Sequence, residues 1–214
     1  RLIWSGRVMQ SPRETWEERY GVDDYVFGTE PNDFLRETVV DRAPGRALCI
    51  AEGEGRNAVH LASLGWSVMS FDLTDAGVHK TGALAAARGV EVDAHVADAA
   101  AFDLGEDAWD LIVSIFAHMP PPIRRDLHRR VVKALRPGGV FVLEAYRPAQ
   151  IGRGTGGPPV AEMMMTAAEL AEELAGLEME HLLEIDRSVI EGSGHTGDAA
   201  VVQVVARRPR SDAR

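Results

Sequence analysis

The sequence predicts an α/β protein: a doubly wound, mostly parallel seven-stranded sheet with an antiparallel last strand and helices on both faces. Three observations predict it. From residue 47 onward, short apolar runs alternate with helical patterns, as in βαβ units whose parallel sheet is covered on both sides. The first run ends in the loop Ala51-Glu-Gly-Glu-Gly55 and a helical pattern follows, the strand–turn–helix opening of a nucleotide-binding unit. The last two runs, about 180–190 and 199–207, are joined only by Gly192-Ser-Gly-His-Thr-Gly197. That link is too short for a crossover and requires an antiparallel hairpin.

The elements follow in order. Ser11-Pro12-Arg13-Glu14 is a capping box with proline at the first helical position, so a helix runs to about Tyr20. Residues 21–28 form a loop rich in aromatics, and Pro31 opens a short helix through Val40. The glycine loop follows a strand at 47–51, and its helix ends before Gly65. A second strand, Trp66 to Asp72, leads to an alanine-rich helix over 76–88, closed by Gly89. The third strand is 91–96 and the fourth is 109–115. Pro120–Pro122 start a helix that reaches Leu135. Pro137-Gly138-Gly139 then turns the chain into the fifth strand, 140–146. A Gly/Pro-rich loop covers 148–160, and Thr166 with Glu169 caps one more helix. The chain is expected to be one domain overall, with residues 1–40 as an N-terminal helical segment and 41–210 as the main body.

Composition bounds the function. The 214 residues and 45% hydrophobic content suffice for a large core. The 23 Lys+Arg against 33 Asp+Glu give a net charge of −10, which disfavours a nucleic-acid partner. The local run Arg124-Arg125 and Arg129-Arg130 reads as the solvated face of a helix. Cys49 is the single cysteine, so no intrachain disulfide forms; inside an apolar strand it reads as a small buried hydrophobe. His60, His79, His95, His128 and His181 show no metal-ligand spacing. No apolar run reaches the roughly 20 residues of a membrane span. The start does not have the pattern of a signal peptide, and Met9 is a candidate initiator, so a cytoplasmic protein without membrane or metal partners is expected.

The loop chemistry narrows the ligand. A dinucleotide places its pyrophosphate at this helix N-terminus, where Glu52 and Glu54 would repel it. After Gly53 and Gly55 the third glycine of a GxGxxG fingerprint is missing, and Arg56 follows the loop directly. The loop suits a nucleoside without phosphates, preferably a cationic one such as S-adenosylmethionine. Ligands sit beyond the carboxyl ends of parallel strands, so residues just after each strand matter most. Asp72, after the second strand, can accept hydrogen bonds from ribose hydroxyls; its plainer role is to cap the next helix. Asp98, after the third, can take an adenine amine with the Ala99 N–H on a ring nitrogen; its plainer role is to cap the turn at 99–102.

On Ala51-Glu-Gly-Glu-Gly-Arg-Asn57, Asp72, Asp98, Trp109-Asp-Leu-Ile-Val-Ser-Ile-Phe116 and Leu135-Arg-Pro-Gly-Gly139, the chain resembles class I S-adenosylmethionine-dependent methyltransferases of Rossmann-like fold. It most resembles small bacterial tellurite-resistance and thiopurine-methyltransferase-like proteins. The resemblance spans Trp16 to Arg207. It implies S-adenosyl-L-methionine as cofactor, S-adenosyl-L-homocysteine as product and no metal. It implies cofactor contacts from Glu52, Gly53, Asn57, Asp72 and Leu73, and from Asp98, Ala99 and Ile115. Trp16, Tyr20 and Phe27 resemble an aromatic cap over the cofactor, where a sulfonium gains about 0.5–2 kcal/mol from ring faces; the same rings can simply pin the N-terminal helix. The family usually has an acid at position 49 and glycine at 51, where this chain has Cys49 and Ala51. Glu52 or Glu54 is then a candidate partner for the cofactor's ammonium.

Methyl transfer is an in-line displacement that needs an aligned nucleophile and exclusion of water. His118, just past the fourth strand, is a candidate to accept a proton or orient substrate, or else a structural histidine. Tyr146, past the fifth, is a candidate hydrogen-bond donor or pocket wall. The hairpin topology brings Glu191 and His195 to the same rim. Arg187 shares the parity of Glu191, which makes either a buried ion pair or a substrate-anion site. Residues 152–159 are a candidate lid or a plain surface loop. The expected function is methylation of a small molecule, with a soft sulfur, selenium or tellurium acceptor implied by the resemblance, by a monomer or homodimer. The alternatives are a non-catalytic S-adenosylmethionine-binding regulator or partner subunit, and, disfavoured by the loop carboxylates, an NAD-linked oxidoreductase.

Overall fold

The computed structural model describes residues 10–210, and the backbone of 3–4 and 7–8. Met9 lies outside the described residues. A two-residue ribbon, β1 (Ile3–Trp4) against β2 (Arg7–Val8), precedes helices α1 (Pro12–Tyr20) and α2 (Asp33–Val39). The body follows as β3 (Arg46–Ile50), α3 (Arg56–Ser63), β4 (Ser67–Asp72), α4 (Asp75–Arg88) and β5 (Asp93–Val96). Then come β6 (Trp109–Ile115), α5 (Pro121–Ala134), β7 (Leu135–Tyr146), α6 (Ala167–Glu173), β8 (Glu178–Glu191) and β9 (His195–Arg207).

The seven-stranded sheet has the order β5-β4-β3-β6-β7-β9-β8. Strands β3 to β7 pair in parallel, and β9 pairs antiparallel to both β7 and β8. The predicted sheet, hairpin included, is the one observed. Successive side chains point to opposite faces of a strand, and here both faces are apolar. Leu48, Ile50, Ile112, Phe141 and Leu143 pack with Leu127 and Val131 of α5 and Leu170 of α6. The alternate residues Ala47, Cys49, Leu111, Val113, Val140 and Val142 pack with Leu35 and Val39 of α2 and Ala58 and Leu61 of α3. Near-continuous apolar strands are what a sheet covered on both faces requires.

Local chemistry sets the helix ends. Ser11 and Thr166 both form complete capping boxes. Helix α1 has little apolar face of its own and buries only Tyr20. Its Glu17 carboxylate instead accepts the Asp75 and Ala76 N–H groups at the start of α4, which ties the N-terminal segment to the body. Gly55 caps α3 with φ 94°, and a Cβ there would lie 2.7 Å from Thr81 of α4. Only glycine meets both demands.

Two readings are corrected. Pro137-Gly138-Gly139 is not a turn ahead of the fifth strand. β7 starts at Leu135, and the glycines lie in its irregular first stretch, where the register with β6 shifts between Trp109 and Leu111. The arginine run on α5 is not wholly solvated. Arg125 and Arg129 are exposed, but Arg124 has no exposed surface. Arg124 lies 2.6 Å from the Glu173 carboxylate and donates to the Met164 carbonyl. His128 meets the same carboxylate at 2.7 Å. Burial alone would raise the Glu173 carboxyl, but His128 and Arg124 hold it at about 2. An ion cluster between α5 and α6 is a long-range pairing that helical periodicity does not reveal.

Candidate functional site

A cavity of about 270 Å³ opens at the carboxyl ends of β3 and β6, beside the point where the strand order reverses, as expected for this architecture. Its floor is Ala51, Glu52, Arg56, Asn57, Ile115 and Phe116, and its walls include Trp16, Tyr20, Phe27, His118 and His195. Pro158, Pro159 and Met163, from the segment after β7, close one side. Two floor residues are held in the left-handed region without being glycine: Ala51 at φ 48° and Phe116 at φ 53°. Such strain costs about 1–3 kcal/mol and gathers at functional sites.

Glu52 governs the glycine loop. Its Oε1 accepts the Asn57 and Ala58 N–H groups at 2.8 and 2.7 Å. The α3 N-terminus is therefore occupied by the chain's own carboxylate, which removes the usual seat of a phosphate. Burial pushes the Glu52 carboxyl up to about 7, against the lowering effect of the Ala58 N–H and Arg56. Glu54 turns elsewhere: its carboxylate bonds Lys80 Nζ at 2.8 Å and the Phe27 N–H at 3.2 Å. Glu54 is outside the cavity lining, so of the two carboxylates considered for the ammonium only Glu52 faces the cavity.

The N-terminal aromatics form one cluster. Trp16 lies 5.3 Å from Tyr20 and 6.2 Å from Phe27, centroid to centroid. The Arg19 guanidinium sits over Trp16 at 4.7 Å. Tyr20 covers the loop: a Cβ on Gly53 would fall 2.7 Å from its hydroxyl oxygen. Burial, with Asp72 and Glu54 nearby, raises the Tyr20 hydroxyl well above its ordinary range.

The other predicted cofactor residues, Gly53, Asp72, Leu73, Asp98 and Ala99, are not on the cavity lining. Asp72 Oδ2 accepts the Gly53 N–H at 2.9 Å, and its Oδ1 accepts from the Thr74 N–H and hydroxyl. Asp72 thus braces loop and helix start, while Thr74 is the actual cap of α4. Leu73 follows it, half-buried. Asp98 is exposed and its Oδ1 accepts the Ala100 N–H. The Ala99 carbonyl accepts from Arg130.

The three candidate catalytic residues lie in one ring cluster, His118 stacked on Tyr146 and His195 edge-on to it, but their environments differ. His118 lines the cavity, with Nδ1 3.0 Å from the Phe116 carbonyl and Nε2 accepting the Tyr146 N–H at 3.0 Å. Those bonds fix the neutral tautomer with the proton on Nδ1. Burial pulls the imidazole down to about 4. Both nitrogens serve the backbone, the arrangement of a structural clamp between β6 and β7. Tyr146 has no exposed surface, and its hydroxyl is buried without a hydrogen-bond partner. It lies behind Phe116 and His195, at 4.6 and 5.3 Å. His195 alone has a nitrogen not bonded to backbone on the cavity wall, packed 4.4 Å from Phe27 and 4.7 Å from Phe116.

Beneath the cavity lies a polar cluster that local patterns did not disclose. Arg56 Nη2 meets Glu191 Oε2 at 2.6 Å, with side-chain exposures of 7% and 5%. Asn32, fully buried, donates to both Glu144 (2.6 Å) and Glu191 (2.8 Å). Arg187 grips Glu144 through Nε and Nη2, and Gln203 donates to the same carboxylate. The two readings of Arg187 are thereby resolved: it is a buried ion pair, mainly with Glu144. Burial alone would raise the Glu191 carboxyl, but His195, Arg56 and Asn32 hold it at about 2. Two signals were visible in the sequence: an arginine directly after the glycine loop, and one acid, Glu144, inside an apolar strand. Among the described residues no group of three or more His, Cys, Asp or Glu can hold a metal ion. No helix among them is long and apolar enough to cross a membrane.

Fold and site together define a Rossmann-like, mostly parallel sheet with its cavity at the glycine loop. Residues 47–139 match the family model described as a methyltransferase domain. The chain is similar to an uncharacterized protein of Mycobacterium tuberculosis, 27% identical over 140 residues, 63% of this chain and 51% of the relative. It thus spans about half the length of the curated relatives it matches. Among solved structures it is similar to a protein studied for the conversion of a disulfide bond into a thioacetal group during echinomycin biosynthesis. The TM-score is 0.75, with 21% identity over 94% of this chain and 93% of that one. The N-methyltransferase NodS from Bradyrhizobium japonicum, in complex with S-adenosyl-L-homocysteine, has a TM-score of 0.69, 17% identity and coverages of 92% and 97%. TehB from Haemophilus influenzae also scores 0.69, at 17% identity and coverages of 90% and 65%. At these identities the likeness is one of fold.

Proposed function

We propose that this protein is an S-adenosylmethionine-dependent methyltransferase acting on a small molecule, with a soft sulfur, selenium or tellurium atom as acceptor. The observation that carries the cofactor reading is the occupied start of α3. A glycine loop built for a nucleotide has its helix amides filled by Glu52, so it suits a ligand with no phosphate and a positive charge. The match of residues 47–139 to a methyltransferase domain supports the same reading. The acceptor atom rests on the family resemblance.

The residues present fit the cofactor. Arg56 Nη1 is buried without a partner next to the cavity, a donor waiting for an anionic oxygen. Glu52 offers a carboxylate to an ammonium, with Asn57 and Gly53 beside it. Trp16, Tyr20 and Phe27 offer ring faces to a sulfonium. Asp72 and Leu73 would flank the ribose, Asp98 and Ala99 the adenine, and Ile115 the methionine tail. When bound, the cofactor supplies a methyl group already activated by its sulfonium. The protein's own task is to align the acceptor and exclude water. The closed aromatic cap and the Pro158–Pro159 wall do the second.

A thermal shift experiment tests this reading. S-adenosylhomocysteine at a hundredfold excess over its Kd stabilises the folded state by about 2.7 kcal/mol, seen as a higher Tm. Asp72→Ala and Trp16→Ala should each shrink the shift. An unchanged Tm at millimolar ligand would overturn it.

A further inference from the structure

Resting on that cofactor reading, we propose that His195 is the proton acceptor of the reaction, that Glu191 is its positioning residue, and that the soft acceptor is one that must lose a proton on methylation: a thiol or selenol. Glu191 sits at a branch point. Its Oε2 holds Arg56 at 2.6 Å and lies 3.8 Å from His195 Nδ1. Its Oε1 accepts from Asn32 and approaches Arg187 at 3.4 Å. The carboxylate is thus fixed on three sides by α3, the N-terminal segment and its own strand, with one face toward the histidine.

His195 is 8% exposed and that exposure is on the cavity wall. Nδ1 is buried toward Glu191 with no hydrogen-bond partner. At 3.8 Å the pair is too long for a hydrogen bond and within ion-pair range, so the carboxylate draws the neutral ring's proton to Nδ1 and attracts the ring more strongly once it is charged. Nε2, on the other edge of the ring, is the nitrogen left for a ligand. The other histidine on the wall, His118, has both nitrogens engaged by backbone. Arg19 and Arg56, the cations facing His195, oppose its protonation and so does burial, while Glu191 favours it. A ring that is neutral at rest and gains a charge partner on protonation is suited to a general base.

The step balances. The proton of the acceptor's X–H bond passes to Nε2. The electron pair of X forms the bond to the methyl carbon, and the methyl–sulfur bond breaks with its pair left on a neutral thioether. The imidazolium so formed faces Glu191. An acceptor without a proton, such as a thioether or a pyridine nitrogen, has no use for this pair.

Two readouts test the proposal. In the free protein at neutral pH, long-range ¹H–¹⁵N NMR should find the His195 proton on Nδ1 and Nε2 bare. Glu191→Gln, which leaves a neutral group facing Nδ1, should shift that tautomer balance. A proton on Nε2 in the wild type, or a balance unmoved by Glu191→Gln, would overturn the proposal. In the second, protein with bound S-adenosylmethionine is offered 2-mercaptoethanol and thiophenol, against dimethyl sulfide and dimethyl selenide. Methyl transfer should be confined to the first two. His195→Gln should lower kcat by about 10²–10⁴-fold with the KM for the cofactor unchanged. Equal transfer to the aprotic pair, no transfer to any protic probe, or full activity in His195→Gln would overturn it. Absence of cofactor binding shows in the same titration before any acceptor is added. That result falls on the cofactor reading, while the NMR readout still judges His195.

Discussion

Glu52 and Glu191 are the residues on which the site turns: burial pushes both carboxyls up, and only at Glu191 do charged and hydrogen-bonding partners reverse the shift. Glu52 has its carboxyl raised from 4.5 to about 7. A raised carboxyl makes its stability contribution below about pH 4.5, and that contribution is lost as pH rises through about 7. Thermal unfolding of Glu52→Gln should therefore show a flatter Tm between pH 5 and 8 than the wild type; an identical pH profile would contradict this. Glu191 is lowered to about 2. Its contribution is present above about pH 4.5 and is lost as pH falls through about 2. Removing one partner of a buried ion pair costs about 3–5 kcal/mol, since Arg56 then lacks its anion. Chemical denaturation of Glu191→Ala should show a loss of that size; a loss below about 1 kcal/mol, the range of a surface pair, would mean the pair is not buried.

At the scale of elements, the decisive contact is between the tip of the β8–β9 hairpin and the loop that carries Phe27. The Gly194 N–H donates to the Val26 carbonyl at 2.9 Å. A Cβ on Gly192, at φ 64°, would lie 2.3 Å from the same carbonyl, and one on Gly194 would lie 2.4 Å from the Phe27 ring. The hairpin tip thus latches the aromatic cap, with the glycines serving close approach. Gly192→Ala forces this contact apart. Strain of about 1–3 kcal/mol should raise the release rate of S-adenosylhomocysteine by about tenfold or more, and should speed proteolysis at 21–28. Unchanged release would place the latch elsewhere.

The same contact shows what the sequence could and could not disclose. Seven strands, both capping boxes and the hairpin are local in cause, because periodicity and turn chemistry act over a few residues. The grouping of Trp16, Tyr20 and Phe27 was expected from the family resemblance alone. The pairings Arg56–Glu191, Asn32–Glu144 and Arg124–Glu173 bridge 49 to 135 residues, and nothing local encodes them. Arg124 misled for that reason: on its own helix it reads as one of four surface arginines. Glu54 misled differently, since loop geometry rather than residue type decides which carboxylate turns inward.

For the molecule as a whole, the sheet order puts the ends of β3 and β6 side by side, and two segments far apart in the sequence, α1 with its following loop and the β8–β9 hairpin, wall the cavity they make. The N-terminal segment supplies the aromatics, and the C-terminal hairpin supplies Glu191 and His195. The central claim is that this cavity takes a cationic nucleoside and not a dinucleotide. Calorimetric titration of the folded protein with S-adenosylmethionine, S-adenosylhomocysteine and NADH, with Asp72→Ala as control, tests it most directly. The account predicts micromolar binding of the first two, weakened in the control, and no heat from NADH. No binding of either adenosyl ligand, or tight binding of NADH, would contradict it.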